Sequence, residues 1–169
     1  MAKRIIKISL LLLLFIITIT CSQITAAKQT KKNNKAFLSL RTSLLTHHWN
    51  NNSDYNNSQE LIGLEYHSPN SNLYGLIHFK NSYSQPCWYI YTGKSYNLKQ
   101  ISYFKIYWKL TYGIITGYDD EDGRYNSYLN RIGTFPVIIP SICIKYDKLS
   151  LEASLLANAG FIITTGIQF

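Results

Sequence analysis

Four histidines are the side chains best suited to moving protons: His47 and His48 in "THHW", His67 in "EYH" and His78 in "IHF". An imidazole changes charge near neutral pH, so each is a candidate acid or base. His47 and His48 are neighbours. On a strand, neighbours point to opposite faces, so only one of them can face an interior. His67 and His78 lie in strand-like segments with no carboxylate in evident register, and they read as rim or girdle residues. These histidines, with Cys87 and Cys143, lack the spacing of a metal site, and neither metal nor cofactor is expected. One cysteine pair is not a disulfide framework, and both read as ordinary apolar residues. The acidic run "DDED" (119–122) reads as a solvated loop, with divalent-cation binding as the alternative.

The scaffold for these groups starts with the compartment. Lys3, Arg4 and Lys7 form a basic start, Ile8 to Ile19 an apolar run, and Thr25, Ala26 and Ala27 a small-residue cleavage site. Residues 1–27 therefore read as a cleavable signal peptide, and 28–37 as a basic N-terminal segment. An uncleaved anchor is the alternative. Without Lys3, Arg4 and Lys7, the 17 basic residues fall to 14 against 9 acidic ones. An exported basic chain points away from nucleic acid and towards anionic lipid headgroups or lipopolysaccharide phosphates.

From residue 38 to 169 the pattern alternates. In "FIITTGIQF", Phe161, Ile163, Thr165, Ile167 and Phe169 share one face, and Ile162, Thr164, Gly166 and Gln168 the other. Leu151, Ala153 and Leu155 oppose Ser150, Glu152 and Ser154. Phe104, Ile106, Trp108, Leu110, Tyr112 and Ile114 oppose Lys105, Tyr107, Lys109 and Thr111. An apolar outer band, a partly polar interior, 14 tyrosines and 3 tryptophans predict an all-β fold. It is an eight-stranded antiparallel transmembrane β-barrel of the outer membrane, acting as a monomer. A soluble periplasmic barrel is the alternative. The expected strands are 38–49, 60–68, 73–81, 88–94, 101–117, 134–146, 149–157 and 160–169. Turns at 69–72, 93–99 and 147–148 would be periplasmic, and loops at 50–59, 82–86 and 118–130 extracellular.

"GTFPVIIPSICIKY" (133–146) carries Pro136 and Pro140 inside a strand pattern, although proline cannot donate to a ladder. With Ile142, Ile144 and Tyr146 facing lipid, the inward set is Phe135, Val137, Ile139, Ser141, Cys143 and Lys145. The strand 101–117 has the same division, with Lys105 and Lys109 low and Gly113 and Ile115 high. Both strands place an apolar pocket in the outer-leaflet half of the barrel. That pocket holds an acyl chain, or its residues merely plug a small barrel.

The segments "LTHHW", "LYGLIHFKNSY", "FPVIIPS" and "GIQF" resemble, in order, motifs of the PagP-type lipid A palmitoyltransferases. The likeness spans nearly all of 38–169 at low identity. It implies an outer-membrane acyltransferase that moves an acyl chain from a phospholipid donor to a hydroxyl of lipid A or lipopolysaccharide. It implies that His48 is the general base and that Ser82 and Asn81 position and polarise the ester. Asn81 stands where the family has an aspartate, and an amide supplies no charge to an imidazole. The resemblance also gives Pro136 and Pro140 a purpose, a lateral gate through which lipid reaches Phe135, Val137 and Ile139. It sets Gly93 at the pocket floor, where a glycine fixes acyl length. The alternatives are a catalytically silent lipid-binding or structural barrel, and a lipid A deacylase.

Overall fold

The computed structural model describes residues 35–50, 55–120, 123, 125, 127–157 and 159–169. The signal-peptide reading lies outside these residues. Eight strands follow one another: β1 (Phe37–His48), β2 (Ile62–His67), β3 (Asn72–Lys80), β4 (Pro86–Ile101), β5 (Phe104–Thr116), β6 (Thr134–Tyr146), β7 (Leu149–Leu156) and β8 (Gly160–Gln168). Each pairs antiparallel with the next, and β8 pairs with β1, so the sheet closes into a barrel. A short helix, α1 (Tyr128–Arg131), lies in the β5–β6 loop. None of the described helices is long and apolar enough to cross a membrane.

Alternation decides what faces where. Ile90, Ile114, Ile138, Leu151 and Ile167 project outward and are exposed, while Leu73, Tyr91, Cys143 and Glu152 are buried inside. The exterior is apolar and the interior holds the charges, the reverse of a soluble barrel. Closed antiparallel barrels with this distribution have no unpaired edge to shield from lipid, and they belong to the outer membrane of bacteria. Aromatic pairs gather on the outer face at both ends. His78 tilts against Trp88 at 4.8 Å, and Tyr96 stacks on Trp108 at 4.5 Å.

Three details depart from simple alternation. β4 does not stop for a turn at 93–99, as its Gly and Asn suggested. It runs on to Ile101 and turns at Ser102, whose φ is 53°. Gly93 is mid-strand, opposite Leu73 and Thr111, where a Cβ would strike the Leu110 carbonyl. A register shift between Asn97 and Lys99 absorbs the irregular lower part. In β1 a bulge between Ser43 and Leu45 leaves both Leu44 and Leu45 outward. Below it Ser39, Arg41 and Ser43 take the interior side, and above it Thr46 and His48 do.

The third detail is the mid-barrel core, where Arg41, Glu65, Lys109 and Glu152 meet. Lys109 Nζ lies 2.7 Å from Glu65 and 2.8 Å from Glu152, and Arg41 lies 2.7 Å from Glu152. Tyr91 donates its hydroxyl to Glu65 at 2.7 Å. His67 is not a rim residue. It is buried, with Nε2 2.6 Å from Glu65. The two are separated by one residue and so share a face. Two cations and two carboxylates cancel in charge, which makes burial of all four tolerable. Cys87 and Cys143 are buried and unbridged.

Candidate functional site

Above the charged layer the barrel is hollow. A cavity of about 440 Å³ is walled by Ile77, Phe79, Ile115, Phe135, Val137 and Ile139. Its floor is Tyr89, Tyr91 and Thr111, with Arg41, Lys109 and Glu152 reaching up from the layer beneath. Tyr89 stacks on Tyr91 at 4.5 Å and donates to Thr111 Oγ1 at 3.1 Å, which stiffens the floor. Gly93 does not line the cavity. It follows Tyr91 by two residues down β4, and the tyrosines and the charged cluster close the barrel above it. The floor is therefore aromatic, formed by Tyr89 and Tyr91.

The cavity also reaches the barrel's flank. β6 pairs with β5 along its whole length, from Thr134 to Tyr146, but with β7 only from Ser141 to Tyr146. β7 ends at Leu156, so among the described residues Thr134 to Pro140 have no ladder partner on that side. Pro136 and Pro140 both fall in this stretch. Ile138 and Leu155 are exposed on the outer face and still line the cavity, together with Pro136, Leu156 and Ala157. The hollow is thus continuous with the lipid-facing surface between β6 and β7. Pro140 borders the gap without lining the cavity.

At the upper end the structure gathers His48, Asn81 and Ser82 around the same cavity. His47 turns outward and lies against Phe161 and Trp49, at 5.2 and 5.7 Å. His48 Nε2 sits 3.4 Å from the Asn56 carbonyl. A carbonyl only accepts, so Nε2 carries the proton and Nδ1 is the basic atom. The Asn56 N–H donates to the Ser82 carbonyl at 2.7 Å, so one residue of the β1–β2 loop ties the histidine to the serine loop.

Asn81 is bound into its own loop. Its Nδ2 donates to Gln85 Oε1 and to the Tyr125 hydroxyl, both at 2.8 Å, and its Oδ1 accepts from the Tyr83 and Gln85 amides. The Tyr125 hydroxyl donates to Gln85 Oε1. Among the described residues, neither Asn81 nor a carboxylate bonds His48. Asn81 is a positioning residue for the loop that carries Ser82.

A row of rings links the loops at this end of the barrel. His48 meets Tyr55 at 5.0 Å, Tyr55 meets Tyr83 at 5.5 Å, and Tyr83 meets Tyr125 at 5.2 Å. Tyr118 continues the row to Phe135, at 5.3 and 5.0 Å. Burial pushes the Tyr118 phenol well above its usual range, so it stays neutral. This row runs from β1 to β6. Sequence reasoning missed it, along with Asn56, because the contributing tyrosines sit in loops without periodicity. No group of His, Cys, Asp or Glu among the described residues could hold a metal ion.

Fold and surface together define the class: an eight-stranded outer-membrane β-barrel with an internal cavity open at its side. No family model matches the chain, and no curated protein matches it. Among solved structures it is similar to the outer membrane protein Ail of Yersinia pestis, determined in a phospholipid bilayer nanodisc. The identity is 11%, the match covers 80% of this chain and 99% of that one, and the TM-score is 0.42. The class rests on the chain's own barrel closure and apolar exterior.

Proposed function

We propose that this barrel transfers an acyl chain from a phospholipid to a hydroxyl of lipid A. The observation that carries the reading is the stretch Thr134–Pro140, which lacks a ladder partner on its β7 side and opens an apolar cavity sideways to the lipid-facing surface below a histidine. A water channel has no use for an apolar blind pocket, whereas an acyl chain fills one. The donor's chain passes between β6 and β7 and rests on Tyr89 and Tyr91. Its ester lies near His48 and Ser82. His48 Nδ1 removes the proton of the acceptor hydroxyl, whose oxygen adds to the ester carbonyl. The tetrahedral adduct collapses, and the imidazolium returns the proton to the departing lysophospholipid oxygen. The Asn56 carbonyl accepts from Nε2–H and orients the ring, in place of the carboxylate that Asn81 does not supply.

One observation favours a second reading. Asn81 spends its amide inside the loop, and a neutral carbonyl stabilises an imidazolium less than a carboxylate does. A silent lipid-binding barrel would keep the cavity and the gap without the chemistry. Mass analysis of lipid A from cells expressing the protein separates these readings. Gain of one acyl chain supports transfer. No change supports the silent barrel, and loss of a chain makes the protein a deacylase.

A further inference from the structure

The β5–β6 loop carries an apolar face left uncovered among the described residues. In α1, Tyr128 is 77% exposed and Leu129 47%, and Ile132, at the end of the same turn, is 54% exposed. The Ile132 amide donates to the Tyr128 carbonyl at 3.3 Å, so the helical path holds across all three. Residues four apart on such a path share a face, and Leu129 lies about 100° round from Tyr128, so the three make one apolar stripe. The polar bonds of the turn lie elsewhere. Arg131 Nε donates to the Tyr125 carbonyl at 2.7 Å, and Arg131 is 3.7 Å from Asp120. Just past the turn, the Gly133 carbonyl accepts from the Gly117 and Tyr118 amides at 3.1 and 3.3 Å. These bonds tie the turn to the top of β5 and hold the stripe in one orientation.

The stripe stands at the upper edge of the side opening. Leu129 lines the cavity together with Pro136 and Ile138 of β6 and Leu155 of β7. Only Gly133 separates Ile132 from Thr134, where β6 begins, and Ile138 further along that strand is 69% exposed on the lipid-facing side. Between Ile132 and Ile138, the Thr134 and Thr116 hydroxyls bond each other at 2.7 Å, where the apolar band gives way to polar groups. We infer that α1 docks on the outer leaflet: Tyr128 and Ile132 sink among the lipids at the headgroup boundary, and Leu129 forms the upper lip of the opening. Three large apolar side chains side by side in water are unfavourable, and the leaflet around the barrel supplies cover continuous with that of β6. Tyrosine suits this depth, with its ring among the chains and its hydroxyl among the headgroups. The inference requires a barrel in the outer membrane and does not depend on acyl transfer. It makes the entrance between β6 and β7 an apolar threshold, which a lipid crosses without leaving the leaflet.

The test places a nitroxide on the full protein in phospholipid vesicles, through Tyr128→Cys, Leu129→Cys or Ile132→Cys. Ser58→Cys, at an exposed position of the β1–β2 loop, is the control at the same end of the barrel. Cys87 and Cys143 are buried and stay unlabelled, and Cys21 is replaced by serine throughout. Power-saturation spectra compare access to oxygen, which partitions into lipid, with access to a water-soluble nickel chelate. The oxygen-to-nickel ratio at 128, 129 and 132 is expected to be several-fold above that at 58. Ratios at 128 and 132 equal to that at 58 overturn the inference, and they would leave the stripe open to water or to a protein partner. Lipid access at 128 and 132 without it at 129 also overturns it, since α1 would then not border the opening. Should the label at 128 or 132 abolish heat-modifiable migration, the other of the two decides. The assay reads no turnover. Unchanged lipid A would remove the transferase and leave α1 in the leaflet, and an active enzyme with a water-exposed α1 does the reverse.

Discussion

His48 is held by a backbone carbonyl rather than by a charged side chain, and this shapes what its substitution does. His48→Ala is expected to reduce acyl transfer by about a hundredfold or more, as loss of a general base does. His47→Ala, on the outer face, is expected to leave it unchanged. Lipid A mass analysis of the two variants checks both, and equal loss in the two would remove His48 from the mechanism. Asn81→Asp looks from sequence like restoration of a missing charge. In the structure it deletes the Nδ2 donor that binds Gln85 and Tyr125 and sets a carboxylate against Gln85 Oε1. The expected result is therefore a looser 81–85 loop and no rise in activity, read as faster proteolysis at that loop. A clear gain in activity would show that the carboxylate reaches His48 after all.

At the scale of elements, the two prolines of β6 are unequal. Continuing the β6–β7 register beyond Ser141 and Ser154 sets Pro140 opposite Leu155 and Ile139 opposite Leu156. Pro136 lies past the end of β7. Pro140→Ala supplies the donor that would let the ladder extend by a step, so it is expected to slow acyl transfer several-fold, while Pro136→Ala does little. Initial rates with a phospholipid donor in vesicles separate the two, and a larger effect from Pro136 would contradict the zipper account. The proline-marked strand was legible because proline breaks a ladder wherever it occurs. The neighbour that withdraws from it was not, since β7 is short only in relation to β6, a matter of register. The opposite error befell β4, where Gly93 and Asn97 mimic a turn. Gly93 serves close backbone approach instead.

The barrel has a hollow upper half resting on a charged plug. Lys109 touches two carboxylates and is almost wholly buried, so Lys109→Met leaves both carboxylates short of a partner. It is expected to destabilise the barrel by about 3–5 kcal/mol, and Lys109→Met with Glu152→Met to recover part of that loss. Urea unfolding in lipid vesicles measures both, and an unchanged single variant would mean that the cluster is not holding the barrel together. The alternation that disclosed the barrel also assigned Lys109, Glu152 and Thr164 to its interior. It could not say that Arg41 and Glu65 join them at one height, because that depends on how strands from opposite sides of the barrel are staggered. The His67–Glu65 pair was within reach of the sequence, since one residue separates them on one face. Arg41 became visible only once the cavity had walls.

The bulge in β1 makes the strand behave like a reading frame. Counted in strict twos from Ser39, the inward register would arrive at His47, and the extra residue at Leu44 and Leu45 shifts it to His48. A single deletion within Phe37–Ser43 would thus displace every partner below, whereas deletion of Leu44 would straighten the strand and still deliver Thr46 and His48 to the interior. Length variation in this strand is therefore silent at one place and damaging at its neighbours. A lineage could gain or lose that leucine without its histidine ever leaving the cavity.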